Sequence, residues 1–370
     1  MKAINFCTRC LTMSTRPRIS FNKEGICNAC LWTEKKKTIN WSKREKELID
    51  LLDKHRSKEG NFDCLVPVSG GKDGSYVAYN LKQKYNMNPL CVTVTPPLPT
   101  QLGEENLREF VKSGYSHLSI NPPYEAMRLL NKKGFIEMGF PYFGWLTAIF
   151  SIPVRIANQF DIGITFYGED GEVEYGGTSE TEKEPIFDSL YMQKIYLESG
   201  YEKIIKNSNI SNQDSLFFKF LDQEKLNKNS TKFTHWSYFE NWDPYRNYLV
   251  AKEYCGLKEA VNNNEGTFTN FAQNDQHLYS LHTYLMYLKF GFGRANQDAC
   301  IEIRRGAMDR DQAKNLVRMY DGIFSHDSIG IYLDYYKMTK KEFYDVLDKW
   351  ANKSLFEKRG DQWKPIFQIN

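Results

Sequence analysis

The sequence predicts an α/β protein built on a doubly wound parallel sheet, with a small cysteine-rich ribbon before it and a helical C-terminal region after it. Three observations carry this. Short apolar runs alternate with amphipathic stretches between Phe62 and Tyr167, four cysteines stand in two close pairs near the start, and residues 180–260 carry no clear strand pattern. Strand–helix alternation of that length points to a parallel sheet. The expected organisation is a ribbon over 1–35, an α/β domain over 36–178, and a helical substrate- or partner-binding region over 179–370.

Taken in order, Ile49, Leu51 and Leu52 among charges predict an amphipathic helix from Trp41 to His55. A buried strand is expected over 62–68, a helix over 76–85 and a second strand over 89–94. Thr95-Pro96-Pro97-Leu98-Pro99 ends that strand, because proline donates no backbone hydrogen bond. It forms a stiff loop at a strand's carboxyl end, where open α/β sheets bind ligands. A helix over 104–113, a strand over 117–120, helices over 124–131 and 146–160, and a strand over 162–167 complete the alternation. Beyond Gly177, Asn274 is placed to cap a helix reaching Phe290, and Asp309 with Gln312 to cap one of the helices over 310–352.

Bulk properties narrow the function. The 49 basic and 46 acidic residues nearly balance, which argues against a broad nucleic-acid footprint. Aromatic residues make up 15% of the chain, which suits a sugar-stacking surface and well-packed helices alike. No apolar run approaches the ~20 residues of a membrane span, and Met1–Asn5 lacks the apolar core of a secretion signal. The expectation is a cytoplasmic protein with no membrane span, acting on soluble substrates.

Cys7-Thr8-Arg9-Cys10 and Cys27-Asn28-Ala29-Cys30 are two knuckles about sixteen residues apart. That is ribbon spacing for a tetrahedral Zn²⁺, and four cysteine ligands imply a closed, structural site. Disulfides are a poor alternative in a reducing compartment. Cys64 and Cys91 fall in strand-like runs and read as buried core thiols; Cys255 and Cys300 are dispersed.

The chemistry concentrates in Val68-Ser69-Gly70-Gly71-Lys72-Asp73-Gly74-Ser75, between the first strand and its helix. Glycines let the backbone wrap a ligand, and the loop's N–H groups with the helix's positive end suit a phosphate. Ser69 adds a hydroxyl and Lys72 a charge, Asp73 could act through Mg²⁺, and Thr95 stands at the next strand's carboxyl end. The pattern is neither the Walker A loop nor the dinucleotide-binding turn.

Glu169 and Asp170 follow a strand and could meet magnesium or substrate, although Gly-Glu-Asp-Gly-Glu is also ordinary turn composition. Arg294, Arg304 and Arg305 could clamp phosphates or lie on a surface loop. His277 and His282, five apart, do not share a helical face and read as packing residues rather than metal ligands. For the aromatic clusters around Trp236 and Trp242, core packing is the preferred reading over a sugar cradle.

The V-P-V-S-G-G-K-D-G-S loop resembles that of the PP-loop ATP pyrophosphatases, with Gly74 where that loop usually has serine. With the knuckles, G-E-D-G-E-V-E-Y-G-G at 168–177 and G-F-G-R-A-x-x-D-A-x-x-E-I-R-x-G at 291–306, residues 5–320 resemble the N-acetyl sugar amidotransferases of bacterial surface-polysaccharide and flagellar-glycan pathways, the pseudaminic- and legionaminic-acid amidino-forming group. The resemblance implies conversion of an acetamido group to an acetamidino group through an O-adenylyl imidate, at the cost of ATP. It implies that residues 68–75 bind the nucleotide's phosphates, with Lys72 and Asp73 catalytic and Glu169 or Asp170 assisting Mg²⁺. It further implies ammonia from a separate HisH-like glutaminase with a HisF-like partner, since the chain starts Met1-Lys2 and shows no glutaminase nucleophile of its own. The rival with the same chemistry is a tRNA-modifying PP-loop enzyme of the thiolase or lysidine-synthetase type.

Overall fold

The computed structural model describes residues 4–197, 201–226, 231–325, 328–360 and 362–369. Its centre is a six-stranded sheet of order β3-β2-β1-β4-β6-β5, formed by β1 (Cys64–Pro67), β2 (Pro89–Val94), β3 (Ser116–Ile120), β4 (Ile164–Tyr167), β5 (Ile186–Phe187) and β6 (Lys232–His235). All neighbours are parallel except β5, which runs antiparallel to β6. A β7 (Phe356–Arg359) and β8 (Gln362–Pro365) hairpin stands apart near the C-terminus.

Side chains alternate across the sheet, so β1 feeds two cores. Leu65 joins Ile152, Phe143 and Phe233 on one face, while Cys64 and Val66 join Leu52, Val77 and Trp236 on the other. The Phe143–Gln159 helix packs against β1, β2 and β4, and the Lys72–Tyr79 helix against β1 and β4. A sheet covered on both faces reads as near-continuous apolar strands, as β1, β2 and β4 do.

The Trp41–His55 helix and β2 match their predicted bounds. Three differences matter most. The first helix starts at Lys72 rather than 76, because extended Gly71 already serves as its N-terminal flank, and it continues as a π-helix over Asn80–Lys84. Residues 180–260 do contain strands: β5 and β6 extend the sheet past position 178. They escape notice because one is two residues long and the other, Lys-Phe-Thr-His, has no apolar run. Asn274 does not cap its helix, which begins only at Leu278; its amide donates to the Asn270 carbonyl (2.9 Å) instead. The Asp309–Gln312 capping box is present as read.

Strand order decides where a ligand can sit. From β1 the chain moves outward through β2 and β3, then returns to β4 on β1's other side and continues to β6. The β1/β4 seam is therefore the topological switch point, and the crevice beyond its carboxyl ends is where such sheets bind ligands.

Candidate functional site

A cavity of about 320 Å³ opens at that crevice, within the range of small-ligand sites. β1 delivers Ser69, Gly71, Lys72, Asp73 and Gly74 to it, and β4 delivers Glu169. Gly70 (φ +78°) makes the loop possible: a Cβ there would lie 2.4 Å from the Leu107 backbone nitrogen, so the Gln101–Lys112 helix can touch the loop only at glycine. Gly74 is also closely packed, since a Cβ there would come within 2.8 Å of the Pro67 carbonyl oxygen.

Within the loop, the roles divide. Val68 directly follows β1, outside the cavity lining, and its N–H donates to the Val92 carbonyl (2.9 Å). Ser75 is fully buried and outside the cavity lining. Lys72 ion-pairs with Asp73, and Asp73 also accepts from the buried Asn247 amide (3.2 Å) on the Pro244–Cys255 helix. Asn247 was not foreseen; its helix is announced by the Asp243-Pro244 cap, but the contact itself is long-range.

Across the seam, burial and the neighbouring Asp73 push the Glu169 carboxyl up to about 7. Two carboxyls this close repel unless a cation or Lys72 lies between them, so Asp73 and Glu169 are the pair suited to hold Mg²⁺. Asp170, predicted beside them, points elsewhere. Its carboxylate caps the Gly171–Tyr175 helix through the N–H groups of Glu172 and Val173 and accepts from the Thr181 hydroxyl. Thr95 also lies outside the lining; its hydroxyl pairs with Ser119 (3.1 Å).

The rest of the 168–177 motif docks the ribbon. Arg18 grips Glu172 through two nitrogens (2.9 and 2.6 Å), Trp32 donates to Glu174 (2.9 Å) and Lys36 pairs with Glu174 (2.7 Å). Gly176 (φ +89°) lets Ile19 and Asn28 approach closely. The ribbon's other side packs on Ala299, Cys300, Ala313 and Val317, so Thr12, Met13 and Arg16 become a wall of the cavity.

In the ribbon, the sulfurs of Cys7, Cys10, Cys27 and Cys30 are buried and all lie within 4.8 Å of one another. Two of the separations are 3.9 Å (Cys7–Cys30) and 3.7 Å (Cys10–Cys27). A tetrahedron of ~2.3 Å zinc–sulfur bonds has edges of about 3.8 Å, so the donor set fits a bound Zn²⁺ without rearrangement. Hydrogen bonds from Cys27 and Cys30 hold the Cys10 thiol well below the usual range, while Cys10 raises Cys30. All four could be thiolates together only around a cation. Among the described residues this is the one His/Cys/Asp/Glu cluster with metal-binding spacing. His282 is buried against Phe140 and Tyr142 as a packing residue, with burial pushing its pKa down to about 3.

The 291–306 motif forms the Arg294–Arg305 helix, whose N-terminal N–H groups of Gly293 and Asn296 donate to Asp321 (2.8 and 3.3 Å). Arg294 lines the cavity but is committed to Asp298 (2.8 Å). Arg304 lines it with Nη1 3.9 Å from the Cys10 sulfur, whereas Arg305 turns away to Asp243 (2.9 Å) and Glu302. Sequence reasoning missed Arg16 and Asp275, both cavity residues. One Asp275 carboxylate oxygen is buried without a hydrogen-bond partner among the described residues, and burial raises its pKa to about 6. Trp236 and Trp242 are core residues, as preferred above.

Residues 265–369 match the family model described as LPS biosynthesis protein WbpG-like, C-terminal domain. That match supports a place in lipopolysaccharide or glycan biosynthesis. An uncharacterized protein of Methanocaldococcus jannaschii is 36% identical over 89 residues, an alignment covering 24% of this chain and 32% of that protein. The chain thus spans about a third of the length of the curated relative it matches. No described helix is long and apolar enough to cross a membrane.

Proposed function

We propose that this protein is an ATP-dependent amidotransferase of glycan biosynthesis, a PP-loop enzyme that converts a sugar's acetamido group to an acetamidino group. The observation that carries the reading is the Ser69–Asp73 loop facing Glu169 across the β1/β4 switch point, over a cavity large enough for a small ligand. The WbpG-like match adds the glycan context.

An amide carbonyl is a poor electrophile and its oxygen a poor leaving group. Attack of that oxygen on the α-phosphorus of ATP forms an O-adenylyl imidate and expels pyrophosphate. Ammonia then adds to the imidate carbon, a proton is lost, and AMP leaves with the former amide oxygen. Ser69, the Gly70-Gly71 backbone and Lys72 bind the departing pyrophosphate, and Lys72 stabilises the charge that develops there. Asp73 and Glu169 are the residues to hold Mg²⁺, which supplies charge neutralisation at the phosphates. Asp275 is the buried carboxyl available to take the proton from the attacking ammonia. Ammonia comes from a separate HisH-like glutaminase with a HisF-like partner.

Among the dispersed cysteines, Cys64, Cys91 and Cys255 are buried with raised pKa values, and Cys300 is tucked against Thr12 beside the ribbon cluster. None has the thiolate character that sulfur transfer to tRNA needs. The test is ATP turnover to AMP and pyrophosphate with ammonium chloride and a panel of N-acetylated sugars. A product about 1 Da lighter is expected, as NH replaces oxygen. AMP formation with bulk tRNA and with no sugar would move the function to RNA modification.

A further inference from the structure

The charges around the cavity are unevenly matched. Lys72 is paired with Asp73 and Arg294 with Asp298. Asp298 is engaged at both oxygens, since its other oxygen accepts from Thr267 (2.6 Å) and Thr269 (3.0 Å), and Glu302 is taken by Arg305. Two guanidiniums remain without a carboxylate among the described residues. Arg304 touches only the Cys10 sulfur at 3.9 Å, and the half-buried Arg16 has no side-chain hydrogen bond, its guanidinium lying 5.9 Å from the Phe292 ring centre.

These two stand at the ribbon side of the cavity: Arg16 belongs to the ribbon itself, and Arg304 Nη1 lies 3.9 Å from its Cys10 sulfur. The charged groups with the largest effect on Arg16 are Arg304, Cys300 and Glu172. Glu172 is itself gripped by Arg18. Burial, and then Arg304, push the pKa of Arg16 down, so the free protein holds this charge at a cost that a bound anion would relieve. Arg304 has a second explanation, because a four-thiolate zinc centre is anionic and Arg304 lies against it. That explanation does not reach Arg16.

We propose that Arg16 and Arg304 form an oxyanion subsite at the ribbon side of the cavity, which binds an anionic group of the acceptor sugar rather than of ATP. The group is a carboxylate on the sugar or the diphosphate of a nucleotide-activated sugar, both of which planar guanidiniums recognise in forked geometry. The ribbon then contributes to specificity: its docking through Glu172 and Glu174 is what brings Arg16 to the cavity wall. The identity of the anion's carrier rests on the proposed reaction; the anion site itself does not.

The test is calorimetric titration of the full chain, loaded with a non-hydrolysable ATP analogue, using N-acetylglucosamine, N-acetylneuraminic acid and UDP-N-acetylglucosamine as probes. At least one anionic probe is expected to bind more tightly than the neutral sugar, and which one it is names the source. Arg16→Ala is expected to weaken that probe ten- to hundredfold, roughly the loss of a charge-assisted hydrogen bond. Arg16→Lys should recover part of it, and affinity for the ATP analogue should stay within about twofold. Equal binding of all three probes, or an Arg16→Ala loss that falls on the ATP analogue instead, would overturn the proposal. Intact anion binding with no AMP formation from any sugar would refute the amidotransferase reading and leave the subsite standing.

Discussion

Replacing Gly70 with alanine should disable the loop for reasons that can be worked from the backbone. At φ +78° an L-residue is in left-handed territory, at a cost of about 1–2 kcal/mol. The new Cβ would also meet backbone atoms, at 2.4 Å from the Leu107 nitrogen, 2.6 Å from its Cα and 2.7 Å from the Asn106 carbonyl carbon. No side chain can swing aside to relieve this, so the Gln101–Lys112 helix must retreat; overpacking of this kind adds about 1–3 kcal/mol. Stiffening of the unfolded chain returns about 0.4–1 kcal/mol. The net expectation is a loss of about 1–4.6 kcal/mol, with weakened binding of an ATP analogue. Gly71→Ala is the internal control. Gly71 is extended (φ −78°, ψ 175°) and its Cβ would meet only the Ser69 hydroxyl at 3.2 Å, so its stability should stay within about 0.5 kcal/mol. Urea unfolding of both variants measures the contrast. Equal midpoints, or a Gly70→Ala loss under about 1 kcal/mol, would refute the argument that this close approach fixes the loop.

Other outcomes follow from the same geometry. Lys72→Ala should cut AMP and pyrophosphate formation by about 10²–10³ while leaving the far-ultraviolet circular dichroism unchanged, because in the proposed reaction its charge acts on the leaving group. Native mass spectrometry should count one Zn²⁺ per chain, and Cys27→Ser should abolish it and lower the unfolding temperature, since closed zinc sites contribute folding free energy. Burial holds His282 at about 3, below its unfolded value of 6.5. Between those values the unfolded chain binds the extra proton, so stability falls by up to about 1.4 kcal/mol per unit as pH drops through that window. His282→Phe, which keeps the ring between Phe140 and Tyr142, should flatten the slope; parallel curves for the two proteins would exclude His282 as its source.

The sequence by itself determined the local signatures. Apolar runs and a proline stop located β2 to the residue, paired cysteines three positions apart identified a ligand set whose sulfurs do converge, and Ser69-Gly70-Gly71-Lys72-Asp73 lies at the carboxyl end of a strand as read. Each of these depends on neighbours along the chain, so a linear pattern contains it.

Tertiary structure decided what depends on residues far apart. Glu169 and Asp170 are adjacent and equivalent in sequence, yet only Glu169 faces Asp73, because Asp170 is consumed in capping the helix that follows it. β6 became a strand through pairing with β4, although Lys-Phe-Thr-His carries no period of its own. Arg16 reached the cavity because the ribbon docks on Glu172 and Glu174, acids about 150 residues further along the chain. Pairing, docking and the matching of charges are settled between elements, and no spacing along the chain records them.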